Sequence, residues 1–195
     1  MALFAAAALV VGDRPAFDAP AAEVVAHFDE NRTRIQVHCA LIALFAPLWV
    51  WFLATVVSLA GGRAGTVAFG CGLTFLALFL VDVTMLAVGA LRPGNLATSP
   101  ELAVTVVDIE LLLMGMAAFL VVGMLVAFAT LTIWPRWLRG LAVVAAAAYA
   151  LRVGTLFTTE GAFAADGVLG LYVPAGAFAA WVFVASAVLA VRRSS

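Results

Sequence analysis

The chain has 195 residues, of which 66% are hydrophobic and 11% are charged, whereas a soluble domain is usually about 45–50% apolar and about 25% charged. These proportions exclude a soluble globular enzyme, a disordered tail and a small disulfide-framework protein, and they leave enough apolar residues for about five or six membrane-spanning helices. The formal net charge is −1 and lysine is absent, so a basic surface for nucleic acid is not expected.

The first apolar block, residues 2–12, is about half as long as a membrane-spanning helix requires, so it predicts either a short or clipped first span or an element that lies in the membrane interface. The polar segment 13–33 follows and is predicted to lie outside the membrane. Within it Val24, Val25 and Phe28 fall on one helical stripe, opposite Glu23 and Asp29. This pattern predicts a short amphipathic helix on the outer surface. No helix-breaking residue follows it, so we expect it to continue into the next apolar block.

Five further apolar blocks are each longer than the 10–14 residues typical of a buried soluble helix. They predict spans at about 34–60, 66–91, 103–133, 140–158 and 168–191. The sequence therefore predicts an all-α fold, a polytopic transmembrane helical bundle of five to six spans. Residues 1–195 are expected to form a single integral membrane domain.

Arginines in the short loops and at the C-terminus predict the orientation of the bundle, because positively charged loops stay in the cytoplasm. One side carries arginine and no acidic residue, and it holds Arg63, Arg136, Arg139, Arg192 and Arg193. The opposite side is acidic overall. We therefore expect a multi-pass protein of the plasma membrane with a cytoplasmic C-terminus.

Several loop and helix-entry sequences carry a family resemblance. They are GDRPAFDAPAAEVV at 12–25, DENRTRI at 29–35, WPRWLRG at 134–140 and GVLG at 167–170. In these segments the chain resembles a group of polytopic membrane proteins of unknown function that is common in actinobacteria. The resemblance covers nearly the whole chain and implies a six-span bundle, but it implies no activity and no site. Members generally begin with a full span, and this chain departs from them by having half of one.

Ionisable side chains within the spans are the candidate functional residues, because each costs about 2.5–3.5 kcal/mol to insert into a membrane. The candidates for ligand binding or ion pairing are Asp82, Asp108, Glu110, Arg152 and His38, all predicted in the outer leaflet. Asp108 and Glu110 are two residues apart and cannot share a helix face, so at most one of them is expected to join Asp82.

Three interpretations of these residues remain open. In the first, Arg152 forms a buried ion pair with Asp82 or Asp108 that sets the register of neighbouring helices. In the second, the residues line a polar pocket, open to the outside, that binds a small molecule or relays protons. In the third, Asp108 or Glu110 simply reaches the interfacial water.

The sequence predicts no catalytic residue, no metal site and no cofactor. It lacks the motifs of hydrolases, metalloproteases, phosphate-binding loops and dithiol redox proteins. His38, Asp82 and Glu110 lie on three predicted helices, and no paired ligand spacing supports a metal among them.

Three functional classes follow, with an enzyme the least favoured. The first is a small accessory or binding protein whose polar cluster in the outer leaflet receives a lipid-like or small apolar ligand or a partner. The second is a proton- or solute-coupled transporter that uses Asp82. The third is a membrane-embedded metal site or enzyme. The expected partners are membrane lipid and a second copy of the chain or another membrane protein, not nucleic acid.

Overall fold

The computed structural model describes Val10, Pro15 and residues 19–92, 98–158, 161–164 and 167–194. Within these ranges every regular element is helical. The predicted first span at 2–12 lies outside the described residues, apart from Val10. In chain order the α-helices are α1 (Ala21–Glu30), α2 (Arg32–Ala60), α3 (Gly62–Leu91), α4 (Pro100–Thr130), α5 (Arg136–Ala150) and α6 (Val173–Ser194).

Three shorter helical turns connect α5 to α6. Two are 3₁₀ turns, Leu151–Leu156 and Gly161–Phe163, and the third is a π-helical turn, Val168–Tyr172. The π turn has a local cause in Pro174, which has no amide hydrogen to bond to the carbonyl four residues earlier at Gly170. The predicted spans at 140–158 and 168–191 are therefore only partly α-helical.

Five helical segments are long and apolar enough to cross a membrane: Arg32–Ala60, Gly62–Leu91, Pro100–Thr130, Arg136–Leu156 and Gly161–Val191. The predicted all-α bundle of five to six spans is thus confirmed for the part of the chain that the structure describes. Most helix ends differ from the predicted limits by two to five residues, and the loop between α4 and α5 shows the cause at one of them. There α4 ends at Thr130, and α5 begins at Arg136 because Pro135 precedes it in an extended conformation.

Helix α4 is the central helix of the bundle. In its most apolar stretch 56% of the residues are buried, against 28–33% in the other four segments. It packs mainly against α3 and α5. Small residues permit this, since Ala117 and Ala118 of α4 have no exposed surface. Gly72 of α3 also permits the close approach of α4, because a Cβ atom there would lie 2.9 Å from the Met124 sulfur atom of α4.

An aromatic core joins α2, α4 and α6. The ring of Trp49 lies 5.8 Å from that of Phe178, and Phe128 stacks on Trp181 at 4.8 Å. Both indole groups find acceptors: Trp49 Nε1 donates to the Gly72 carbonyl at 3.2 Å, and Trp181 Nε1 donates to the Leu138 carbonyl at 3.1 Å. Each ring can therefore be buried without leaving its N–H unsatisfied.

Helix α1 is amphipathic, as predicted, and packs across one end of the bundle, which we call the α1 end. Val24 and Phe28 are buried, whereas Glu23, Asp29 and Glu30 are exposed. The expected continuous helix into α2 is wrong, because a turn at Asn31 separates the two helices. The Asn31 carboxamide donates to the His27 carbonyl at 3.1 Å, and such side-chain bonds to nearby backbone favour a turn over a continuing helix.

Candidate functional site

Four buried side chains among the described residues are carboxyl, imidazole or guanidinium groups, and each comes from a different element. His38 on α2, Asp82 on α3, Glu110 on α4 and Arg152 in the first 3₁₀ turn are 6%, 2%, 1% and 8% exposed. All four lie in the half of the bundle nearer the α1 end, because α2 and α4 start there and α3 and α5 run towards it. We call these four residues the polar layer.

An apolar cluster separates the polar layer from the α1 end. We call it the apolar cap, and its buried members are Val24, Phe28, Ile35, Leu86, Ala90, Ala103 and Val107. Three of them lie one helical turn nearer the α1 end than a residue of the polar layer: Ile35 before His38, Leu86 after Asp82 and Val107 before Glu110. One turn corresponds to about 5 Å along a helix, so the polar layer begins directly beneath the cap.

Tyr149 lies close to the polar layer, although it is not among the predicted candidate residues. It is 6% exposed, and it lies close enough to Arg152 and Asp82 to interact electrostatically with both. The sequence spacing indicates that Tyr149 lies near Arg152, because residues three apart on a helix are neighbours on its surface. The structure thus brings Asp82, Tyr149 and Arg152 into one neighbourhood.

Close glycine contacts position the 3₁₀ turn that carries Arg152. A Cβ atom at Gly115 of α4 would lie 2.9 Å from the Thr155 hydroxyl and from a Leu156 methyl group. Within the turn itself, the Thr155 hydroxyl donates to the Arg152 carbonyl at 2.8 Å. On the other side, Gly170 in the π turn packs against Thr155 and the Ala164 carbonyl. The backbone around Arg152 is therefore held on two sides where larger residues would not fit.

Asp108 lies apart from the polar layer. It is half-buried, while Glu110 two residues later is buried, so the two carboxylates occupy different faces of α4.

The described residues contain no group of three or more His, Cys, Asp or Glu side chains that is arranged to hold a metal ion. His38, Asp82 and Glu110, which belong to that part of the chain, are therefore not arranged as a metal centre.

An apolar groove lies elsewhere, between α2 and α6. Its volume is about 400 Å³, and its walls include Phe45, Trp49, Phe52, Val182 and Phe183. No residue of the polar layer lines it, so the groove and the polar layer are separate features.

Comparisons of the chain with protein-family models, with curated proteins and with solved structures find no match.

Proposed function

We propose that this chain is an accessory or binding protein of the plasma membrane whose polar layer receives the polar end of a lipid-like molecule. The observation that carries the proposal is the burial of His38, Asp82, Glu110 and Arg152 in one half of the bundle. A single ion pair that sets helix register needs one carboxylate and one guanidinium. The second carboxylate and the imidazole exceed that need, and ionisable groups inside a membrane usually mark a functional site.

The charge of the polar layer indicates the chemistry of the ligand. Asp82 and Glu110 bring two carboxylates against the one guanidinium of Arg152, and His38 is uncharged in its neutral form. The layer therefore holds more carboxyl groups than guanidinium groups, and burying charged carboxylates is costly away from water. A ligand with a positively charged or uncharged polar end fits this layer better than an anionic lipid.

Acyl chains of membrane lipid are the proposed occupants of the apolar groove between α2 and α6.

Native mass spectrometry of the purified protein tests this proposal. Wild type is expected to carry a co-purified lipid-like molecule that Asp82→Asn loses, because the substitution removes a buried carboxylate. Asp108→Asn is the matched control, since it makes the same change at a half-buried position, and it is expected to retain the molecule. Equal occupancy in all three proteins, or none in any, would contradict the proposed binding role.

Proton- or solute-coupled transport through Asp82 is the second candidate. It is favoured by the interrupted helices beside the polar layer, Leu151–Leu156 and Val168–Tyr172, because transporter sites are commonly built from broken helices. In that case Asp82→Asn would leave the protein folded and abolish a pH-dependent flux in proteoliposomes. A binding protein would show no such flux in wild type.

We further propose that the α1 end faces outwards and that the C-terminus is cytoplasmic. The alternating helix directions support this, since Arg63, Arg136 and Arg139 lie at the end of the bundle opposite α1, where α6 also ends. A green fluorescent protein fused after Ser195 is expected to fluoresce in intact cells, and alkaline phosphatase fused there is expected to be inactive. The reverse pattern would overturn the orientation.

The loop sequences also lead us to propose membership of the actinobacterial group that the chain resembles.

A further inference from the structure

Helix α1 is held to the bundle by a contact that depends on a glycine. Phe28 is 1% exposed, and its ring lies over Gly89 of α3. A Cβ atom at Gly89 would be 2.5 to 2.9 Å from three carbon atoms of that ring, closer than real side chains approach. The absence of a side chain at Gly89 therefore creates the seat for Phe28.

The two faces of α1 suit a helix that can leave this seat. Its inner face contributes Val24 and Phe28 to the apolar cap, while Glu23, Asp29 and Glu30 on the outer face are exposed. Moving α1 outwards would bring no charged side chain into hydrocarbon. The turn at Asn31 separates α1 from α2, so it is the point at which the chain would bend if α1 moved.

We propose that α1 is a lid, and that lifting Phe28 off Gly89 opens the polar layer to the outer aqueous phase. This inference rests on the proposed function, because it takes the polar layer as the binding site. Lifting the lid would take Val24 and Phe28 out of the apolar cap and bring water to Ile35 and Val107, which lie one helical turn from His38 and Glu110. It makes Phe28 and Gly89 the residues that control access.

A native thiol reports on the opening. Cys39 follows His38, is half-buried, packs against the apolar cap, and donates its Sγ hydrogen to the Val83 carbonyl at 3.5 Å. The second cysteine, Cys71, packs near Gly123 in the other half of the bundle. Cys71→Ser therefore leaves one reporter thiol beside the polar layer. Only the thiolate reacts readily, so a charged reagent labels Cys39 when water reaches it.

The experiment measures the rate at which a charged, membrane-impermeant methanethiosulfonate labels Cys39 from outside intact cells. All proteins carry Cys71→Ser. Gly89→Ala is expected to raise the rate about tenfold, because the added methyl group displaces the Phe28 ring and populates the open state. Gly70→Ala is the matched control on the same helix, since its methyl group would meet nothing within 4 Å, and it is expected to label at the unsubstituted rate.

Phe28→Ala provides a second variant that opens the lid without adding bulk. It is expected to raise the labelling rate in the same direction as Gly89→Ala. The lid is overturned if both variants label like Gly70→Ala, if Cys39 already reacts fully without any lid substitution, or if labelling rises only when the reagent is on the cytoplasmic side. Failure of the proposed function has a different signature, because it appears as missing co-purified ligand whatever the labelling rates are.

Discussion

Arg152→Gln is expected to destabilise the protein by about 3–5 kcal/mol, the range observed when one partner of a buried charge pair is removed. Arg152 is 8% exposed, and it carries the guanidinium group among the buried ionisable residues that the structure describes. Its loss leaves Asp82 and Glu110 without that positive charge in a region of low dielectric. Thermal unfolding of the purified protein in detergent, or in lipid nanodiscs, measures the change.

Two further variants decide whether charge compensation is the cause. Arg63→Gln removes an exposed arginine at the other end of the bundle, and it is expected to change stability by about 0.5 kcal/mol or less. Combining Asp82→Asn with Arg152→Gln is expected to restore part of the loss, since neighbouring charges act non-additively. If the Arg152→Gln protein unfolds at the same temperature as wild type, the guanidinium does not compensate the charge of the carboxylates.

Gly170→Ala is the second substitution with a large expected effect. Its Cβ atom would overlap the Ala164 carbonyl oxygen and lie 3.0 Å from the Thr155 methyl group. Either the 161–164 segment or the 3₁₀ turn that carries Arg152 would have to move. Overpacking of this kind costs about 1–3 kcal/mol, and the upper end is expected here because a backbone atom is in the way.

Gly176→Ala is the matched control for this prediction. It lies a few residues further along, on α6, and a Cβ atom there would meet nothing within 4 Å. Alanine favours a helix over glycine by about 1 kcal/mol, so this variant is expected to be as stable as wild type or slightly more stable. Chemical unfolding of both variants in the same detergent makes the comparison. Equal stability of the two would mean that the Gly170 contact is not tight.

The sequence by itself predicted five to six spans and the approximate limits of the five long helical segments that the structure describes. This succeeds because the requirement is local: a membrane span needs about 20 consecutive apolar residues whatever its neighbours are. It also marked the candidate ionisable residues, since Asp82, Glu110 and Arg152 interrupt or border apolar runs, but it left open whether Glu110 lies inside the span or at its interface. The amphipathic character of α1 was equally readable, because Val24 and Phe28 repeat at helical spacing.

Only the tertiary structure decided which of these residues meet. The sequence predicted that Asp108 and Glu110 occupy different faces, but the packing of α4 in the centre of the bundle decided that Glu110 is the buried one. The seat of Phe28 on Gly89 and the electrostatic interaction of Tyr149 with Asp82 join residues that are far apart in the chain. Hydropathy and helical spacing describe one segment at a time, whereas these contacts depend on how close two backbones come, and small residues set that distance.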